Sequence, residues 1–589
     1  MKYLIYFYRI YLKYLSNKVW WLLLITILVA FADGLGISML LPLLQSLEVT
    51  EQGADDNILF NITRALGVSG SLTGILAFMF AIFLGKAVLK FGAGYFKGTL
   101  YKDLYRYLKI NFYDAVLKVD YQYFTKRNTG HFVTVMETHV NRMVRSFDMF
   151  VNLITASIMT ISYLIIAAVI SWQVSLMAVI LGSVILGLMT IVNRFVRKVS
   201  QRISQEEKNM NQIAVQVLQA FKYIVSTASY KPIQELYNRS ILKLTRLQFQ
   251  NQLANAFTGS IQELMAVTLL IAMIIIEVVI LGYPISAVFV VLLLFYRGVN
   301  QLMALQRNWQ ILLSLQGFVE SVDEELANLK QHRASEGAQK TLPPLNQGTL
   351  QLNNLSFTYE EEAAPVLKDL NINIHPNTTV AFVGPSGAGK TTLVDLMTGL
   401  LRPQSGGLSL SGQNLNEVQP DTWRSKIGYV AQDLTVFDDT VANNIALFRQ
   451  DAKPEEIEQA ARMASAHGFI SELPQGYQTR IGDKGVRLSG GQKQRLFIAR
   501  ELFKQPDLLI LDEATSALDS ASERYIQDSI DQLKGKITVV IIAHRLSTIR
   551  NADVIYVLDQ GRVVESGTYE ALMDKADSRF AEMVELQSF

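Results

Sequence analysis

Six long apolar runs lie within the first 310 of the chain's 589 residues, and the last 240 residues have the composition of a soluble α/β domain. A helix that crosses a bilayer needs about 20 predominantly apolar residues. The runs fall at about 19–44, 71–95, 150–171, 174–193, 257–281 and 284–308. We therefore expect a membrane domain of six spanning helices, followed by a soluble domain.

The amino-acid composition argues against several classes of protein and site. A net charge of +2 argues against a nucleic-acid-binding protein that depends on bulk basicity, so no nucleic-acid partner is expected. The chain has no cysteine, which excludes a disulfide framework and a thiolate metal site.

The distribution of Lys and Arg predicts the orientation of the spans. The segment before the first span carries four basic residues and no acid, and the segment after it is acidic. Residues 97–147 contain nine Lys or Arg against four acids, and residues 194–256 contain ten against three. Positive charge marks the cytosolic side, so both chain termini and both long connections are expected there. The location expected for the protein is a bacterial inner membrane.

The segments outside the spans suggest further boundaries. Residues 1–18 are amphipathic, basic and aromatic, which favours a helix lying on the membrane surface, although a plain extension of the first span is an alternative. The transmembrane domain would cover 19–324, with long helical hairpins whose tips lie near Tyr121–Thr125 and Ala228–Lys231. A polar stretch at 325–348 is typical of a linker, which leaves 349–589 for the soluble domain.

A phosphate-binding loop opens the soluble domain. The stretch TVAFVGPSGAGKTTLVDLM is a short apolar strand, a glycine-rich loop and the start of a helix. Backbone N–H groups of such a loop hold phosphates, a lysine neutralises the β and γ phosphates, and a hydroxyl ligates Mg²⁺. The expected ATP-binding residues are Gly384, Pro385, Ser386, Gly387, Ala388, Gly389, Lys390, Thr391 and Thr392, with Thr391 as the Mg²⁺ ligand.

A second strand ends in two acids. The run DLLILDEATSALDS reads as a buried parallel strand that ends at Asp512 and Glu513. Acids at the carboxyl end of such a strand face the ligand crevice of the sheet. We expect Asp512 to hold Mg²⁺, through water, and Glu513 to act as the general base on the attacking water.

A second phosphate-type motif, LSGGQ, covers residues 488–492 before an amphipathic helical pattern. The helix start and its glycines suit an anion. Together with the loop and the acidic strand, this motif resembles the nucleotide-binding domain of ABC transporters over about 350–585. The resemblance implies that Ser489, Gly490, Gly491 and Gln492 contact the ATP held by the loop of a partner chain, so that two copies form a homodimer.

The same resemblance assigns four more residues. Tyr359 matches the aromatic residue that stacks on adenine, and Gln432 matches the glutamine that senses Mg²⁺ and the γ-phosphate. Asp519 matches the D-loop aspartate, and His544 matches the switch histidine that touches the γ-phosphate. The expected catalytic residues are therefore Glu513, Gln432 and His544.

The fused arrangement resembles exporter-type (type IV) half-transporters, in which the hairpin tips dock on the nucleotide domains. The expected fold is an all-α six-helix transmembrane domain joined to a P-loop α/β nucleotide-binding domain. The stretch FADGLGISMLLPLL in the first span further resembles flippases for lipid-linked oligosaccharides and exporters of glycolipid or exopolysaccharide.

Charged residues within the spans suggest a substrate site. Lys86 and Arg297 lie about 15 and 13 residues from the outer ends of their spans, at a shared depth of roughly 20 Å. Glu263 is expected at a comparable level and Asp33 nearer the outside. The two cations suit a phosphate or pyrophosphate head group. The alternative is structural: Lys86 and Lys90 extend to the inner surface, and Arg297 pairs with Glu263.

The sequence therefore predicts ATP-driven export or flipping of an amphipathic substrate, with a lipid-linked oligosaccharide or glycolipid favoured and membrane lipid as a partner. A multidrug exporter is the main alternative, and a peptide exporter is less favoured because an N-terminal peptidase domain is lacking. A receptor-regulating or channel role on the same scaffold also stays open. The six spans exclude the soluble DNA-repair ATPases that share the LSGGQ motif.

Overall fold

The computed structural model describes residues 2–15, 18–40, 43, 72–170, 172–276, 285–333, 342–359, 364–482, 485–512, 520–543 and 549–587. The chain divides into two compact units. The first comprises residues 1–119 and 123–333, and the second comprises residues 120–122 and 334–589.

The membrane half is helical, as predicted. Its helices are α1 (Lys2–Leu15), α2 (Lys18–Ser38), α3 (Leu72–Leu117), α4 (Tyr121–Thr125), α5 (Thr129–Val133), α6 (Val140–Ile170), α7 (Trp172–Gln219), α8 (Phe221–Ser226), α9 (Tyr230–Ile274) and α10 (Ile285–Gln331). A π-helical turn, Thr134–His139, joins α5 to α6.

The long helices correspond to the six apolar runs. Among the described residues, three segments are long and apolar enough to cross a membrane: Lys18–Ile37, Leu72–Leu117 and Thr129–Ala168. The spans in α7, α9 and α10 stay predictions. Helices α3, α7, α9 and α10 contain 46, 48, 45 and 47 residues. At 1.5 Å per residue each is about 70 Å long, more than twice the hydrocarbon thickness of a bilayer, which agrees with long hairpins.

Helix α1 packs into the membrane unit through its apolar face. Phe7, Ile10, Tyr11 and Leu15 recur at three- or four-residue spacing and are buried against α3, α6 and α10. The Tyr11 hydroxyl lies 2.5 Å from the hydroxyl of Ser146 in α6. The opposite face exposes polar and apolar side chains, including Leu4, Ile5 and Arg9.

The hairpin tips fall where the sequence places them. The short helix α4 has the bounds of the first predicted tip. At the second, Ala228 adopts a left-handed conformation with φ 51° between α8 and α9. Helix α10 continues to Gln331, so residues 325–331 of the predicted linker are helical.

The second unit contains two sheets. Their strands are β1 (Leu350–Phe357), β2 (Leu367–Ile374), β3 (Thr379–Val383), β4 (Ser405–Leu410), β5 (Gln413–Asn414), β6 (Ile427–Val430), β7 (Leu508–Asp512), β8 (Thr538–Ile542), β9 (Val554–Asp559) and β10 (Arg562–Gly567). One sheet is antiparallel with the order β2-β1-β4-β5. The other has the order β10-β9-β3-β8-β7-β6, parallel except for β10.

Helices flank the sheets of this unit. They are α11 (Lys390–Met397), α12 (Pro420–Arg424), α13 (Val441–Ala446), α14 (Pro454–Met463), α15 (His467–Ser471), α16 (Gly490–Phe503), α17 (Ser520–Leu533), α18 (Tyr569–Met573) and α19 (Arg579–Gln587). Every residue of β3, β7 and β8 is buried, as expected for unbroken apolar runs in a covered parallel sheet. This α/β architecture confirms the predicted fold class.

Candidate functional site

The phosphate-binding loop joins the buried strand β3 to helix α11. Gly384 has φ 155°, and a Cβ there would overlap the carbonyl oxygen of Leu558 in β9, so only glycine fits. Lys390 begins α11, and its ammonium donates to the carbonyl oxygens of Gly384 at 2.8 Å and Pro385 at 3.0 Å. Its side chain lies in the curve of the loop, where it would meet a bound phosphate.

Tyr359 is tied to the same helix. Its hydroxyl lies 3.1 Å from the hydroxyl of Thr392, and its ring packs edge-on against Phe357 of β1. The tyrosine is about half exposed. It therefore presents ring surface beside the loop, which is the arrangement that stacking on a base requires.

Asp512 ends β7 beside the neighbouring strand. Asp512 pairs in register with Ile542 of β8 and is only 5 % exposed. The hydroxyl of Tyr429, in β6, donates to it at 3.4 Å. Burial, followed by the charge of Asp512, raises the pKa of Asp395 in α11 to about 6. Burial and the same charge also raise the pKa of Tyr429. Negative charge is therefore concentrated at this end of the sheet.

This chemistry fits a Mg²⁺ ion. Among the described residues, no group of three or more His, Cys, Asp or Glu side chains is placed to hold a metal. Mg²⁺ usually takes one or two carboxylates and completes its shell with water and substrate phosphates. Asp512 would supply the carboxylate, and the exposed Thr391, in the first turn of α11, would supply a hydroxyl.

The other predicted catalytic residues divide into two groups. Gln432 lies two residues beyond β6, the strand that pairs with β7, and is exposed. Glu513, Asp519 and His544 lie outside the described residues, so their roles stay predictions.

The second phosphate-type motif forms the N-terminus of α16. The Ser489 hydroxyl accepts the Gln492 N–H at 3.3 Å, and the Gln492 side-chain oxygen accepts the Ser489 N–H at 2.9 Å. This reciprocal capping box fixes the start of the helix. Ser489 and Gly490 are exposed. A helix start of this kind is suited to an anion supplied from outside the unit.

Two protein-family models match this chain, one in the membrane half and one in the nucleotide-binding half. A model of the ABC transporter transmembrane region matches residues 19–301, and the ABC transporter model matches residues 367–516. The heterocyst differentiation ATP-binding protein HepA of Nostoc sp. is 31 % identical over 490 residues, which cover 83 % of this chain and 80 % of that protein. This chain belongs to the ABC transporter family.

Further relatives refine the comparison. The ATP-dependent lipid A-core flippase of Saccharophagus degradans is 31 % identical over 519 residues, 87 % of each chain. A putative multidrug export ATP-binding/permease protein of Staphylococcus aureus is 49 % identical over 231 residues, which cover 39 % of this chain and 40 % of that one. The structure of a bacterial Atm1-family ABC exporter with ATP bound shares the fold, with a TM-score of 0.80, 24 % identity and coverage of 98 % and 100 %. The transporter is therefore an ATP-hydrolysing exporter and an integral membrane protein.

Within its membrane unit, four polar side chains form what we call the Asp33 cluster: Asp33, Lys86, Tyr163 and Arg297. Asp33 accepts hydrogen bonds from the Lys86 ammonium and the Tyr163 hydroxyl. The Arg297 Nη1 atom lies 3.5 Å from the Asp33 Oδ1 atom. The Asp33 side chain is 3 % exposed, whereas that of Arg297 is 42 % exposed. The sequence places Lys86 and Arg297 at one depth, and in the structure both contact one carboxylate.

The cluster differs from the structural alternative considered from the sequence. That alternative pairs Arg297 with Glu263, but among the described residues Arg297 forms its ion pair with Asp33, and Glu263 is exposed. Asp33 is also not displaced toward the outside, since it contacts both cations. A Cβ on Gly34 of α2 would overlap the Cδ1 atom of Ile166 in α6, so a larger residue there would require the Ile166 side chain to move.

Several residues of the two sites were not identified from the sequence. Tyr163 gives no signal in the sequence, because a tyrosine in a span is ordinary. The capping box was readable from the Ser-x-x-Gln spacing. Asp395 follows the loop lysine by five residues, but its position near Asp512 depends on strand order that the sequence does not reveal.

Proposed function

We propose that the transporter moves an amphipathic lipid with an anionic head group, and that a lipid-linked sugar is its substrate class. The observation that carries this proposal is the Asp33 cluster. Lys86 and Arg297 contribute two positive charges against one negative charge from Asp33. The described cluster thus has an excess of one positive charge within the membrane unit, where a charge is costly and usually functional.

Arg297 is the group best placed to bind such a head group. Its guanidinium carries five N–H donors, and its contact with Asp33 is a single distance of 3.5 Å. With 42 % of the side chain exposed, donors are available for a phosphate, to which arginine can bind in a bidentate manner. Asp33 would hold both cations in place until the substrate phosphate takes over part of this role.

One relative that matches over most of the chain supports the same substrate class. The match to the lipid A-core flippase covers 87 % of this chain, including most of the membrane domain by length. The match to the putative multidrug exporter covers 39 %, so it carries less information about a substrate site in the membrane domain. A multidrug function is the competing outcome of the test below.

In the proposed cycle, two copies of the chain enclose two ATP molecules at the cytosolic side of a bacterial inner membrane. Lys390 and the loop backbone would bind the phosphates, Thr391 and Asp512 would hold Mg²⁺, and Glu513 would take a proton from the attacking water. Ser489 of each copy would contact the ATP of the other. Closure of the nucleotide domains would pull the hairpins together and turn the substrate site outward.

Substrate-stimulated ATPase activity in liposomes tests the substrate class. Anionic glycolipids should raise the rate of the wild-type protein, and Lys86→Ala and Arg297→Ala should remove this stimulation. Lys90→Ala is the matched control, because it removes the same charge from α3 one turn away. If neutral or cationic drugs raise the rate while anionic lipids do not, and both cluster variants behave as the wild type does, the multidrug function replaces this proposal.

A further inference from the structure

A cleft of about 430 Å³ lies between the end of α1, the start of α2 and the C-terminal third of α3. Its walls include Tyr14, Lys18, Asp103, Arg106, Tyr107 and Ile110. All of them belong to the membrane unit. The cleft shares no residue with the Asp33 cluster, and the reactions proposed above do not use it.

The cleft carries an excess of positive charge. The Lys18 ammonium lies 3.2 Å from the Asp103 carboxylate, and the Lys18 side chain is still largely exposed. Arg106 is exposed on the same wall, and within the described part of the chain it has no acidic partner. The two cations and one carboxylate give the cleft a net charge of +1. A phosphate diester is the ligand that an unpaired guanidinium next to an ammonium recognises.

Two tyrosines give the cleft a fixed aromatic wall. The rings of Tyr14 and Tyr107 lie 5.7 Å apart at an interplanar angle of 59°. The Tyr14 hydroxyl donates to Asp323 in α10 at 2.9 Å, which holds that ring in position. Tyrosines are enriched where a membrane meets water, because one end of the ring is apolar and the other is polar.

The end of the cleft at Lys18 lies at the depth of a lipid head group. Lys18 is the first residue of α2, the first span, so its ammonium marks the end of the hydrocarbon region. From that point, exposed side chains continue along α2 at three- or four-residue spacing, through Trp21, Leu24, Leu28 and Phe31. An acyl chain lying on this apolar row would lead directly from a head group seated beside Lys18.

We infer that the cleft is a binding site for an anionic glycerophospholipid of the leaflet that contacts α1, the cytosolic leaflet in the proposed orientation. Lys18 and Arg106 bind the phosphate, the tyrosines flank the head group and the acyl chains follow α2. Basic pockets between membrane helices on this side of a bilayer bind anionic head groups. The site is separate from the proposed transport site, and it does not depend on which substrate is exported.

Native mass spectrometry of the full-length protein, released from nanodiscs of phosphatidylcholine and phosphatidylglycerol, tests this site. The wild type should retain phosphatidylglycerol in preference to phosphatidylcholine. Arg106→Ala should weaken this binding about five-fold, the effect of one basic residue near an anionic surface. Lys18→Gln combined with Arg106→Gln should weaken it further, and Arg106→Lys should retain most of it.

Two controls keep the test specific. Arg239→Ala removes one exposed positive charge from α9, outside the cleft, and should leave lipid binding unchanged. Lys102→Ala, which removes an exposed positive charge from α3 that does not line the cleft, should also leave it unchanged. Equal retention of phosphatidylglycerol by the wild type and Arg106→Ala would overturn the inference. So would displacement of the lipid by an equal concentration of inorganic phosphate, because the site would then recognise phosphate alone.

Discussion

The Arg297 guanidinium lies 3.5 Å from the carboxylate of Asp33, which also accepts a hydrogen bond from Lys86. With Tyr163 of α6, which also donates to Asp33, four separate helices, α2, α3, α6 and α10, meet at one carboxylate in the membrane unit. Asp33 occupies the position between the two cations that an anionic head group would be expected to take. The cluster thus predicts how stability and substrate binding respond when the carboxylate is removed.

Asp33→Asn should destabilise the membrane unit. The amide can still accept from Tyr163, but it leaves the two cations without a compensating charge, at a cost of about 3 kcal/mol. The measurement is the thermal unfolding midpoint of the purified transporter, which should fall.

A charge-balanced variant controls for this effect. Asp33→Asn combined with Lys86→Gln returns the cluster to its original net charge of +1, so the midpoint should recover in part. An Asp33→Asn protein as stable as the wild type would show that the cluster is not an ion-pair network.

Glu513→Gln should reduce ATP turnover by at least about 10²-fold, because it removes the proposed base. The variant should still bind ATP, since Lys390, Thr391 and Asp512 are unchanged. ATPase rates and nucleotide binding measured on the same preparation separate these effects. Wild-type turnover in this variant would remove Glu513 from the mechanism.

The homodimer is tested by mixing two defective chains. Ser489→Arg damages the site that uses the partner's loop, and Lys390→Ala damages the loop itself. In a mixed dimer both defects fall in one composite site, so the other site stays intact. Each variant alone should be inactive, and co-reconstitution should restore part of the ATPase rate. No recovery on mixing, with mixed dimers demonstrated by affinity tags, would contradict shared sites.

Glu325 should confer stability that is lost in acid. It accepts from the Tyr123 hydroxyl at 3.1 Å and pairs with His131 at 2.8 Å, which links the first hairpin to α10. Burial opposes ionisation, but His131 and Arg127 outweigh it and lower the pKa of Glu325 below its usual 4.5. A lowered pKa means that this stability is present above pH 4.5 and is lost as pH falls through the folded-state pKa.

The measurement for Glu325 is the unfolding midpoint as a function of pH. Wild-type stability should fall below about pH 4.5, and Glu325→Gln should show a weaker dependence there. Asp451→Asn is the control, because Asp451 also has a lowered pKa but lies on the surface of the other unit. Identical pH profiles for the wild type and Glu325→Gln would contradict the role given to this carboxylate.

The described residues of the candidate nucleotide site could be picked out from the sequence, because their pattern is local. Lys390 follows a glycine-rich loop after one apolar strand, and Asp512 ends a second apolar strand. Both patterns can be recognised without knowledge of the tertiary fold. The sheet order was not predictable: β8 lies between β3 and β7 although it follows both in sequence. Asp395 and Tyr429 approach Asp512 only because of that order.

The membrane cluster was predictable only in part. Counting residues along a helix gives depth, which brought Lys86 and Arg297 to one level. The same counting placed Asp33 nearer the outside and Glu263 at the level of the cations, so the structural alternative paired Arg297 with Glu263, which is wrong. Counting also does not give the direction in which a side chain faces. The contact of Tyr163 with Asp33 joins residues 130 positions apart, and no local pattern encodes it.

The central claim, that ATP drives an anionic amphipathic lipid past Lys86 and Arg297, is tested most directly by translocation itself. Proteoliposomes carrying a fluorescent lipid-linked sugar phosphate would be supplied with ATP, and the leaflet of the label would be read by an impermeant quencher. We predict ATP-dependent movement of the label by the wild type and by Lys90→Ala, and its loss in Glu513→Gln and in the Lys86→Ala, Arg297→Ala double variant. Equal movement by the double variant and the wild type would contradict the account.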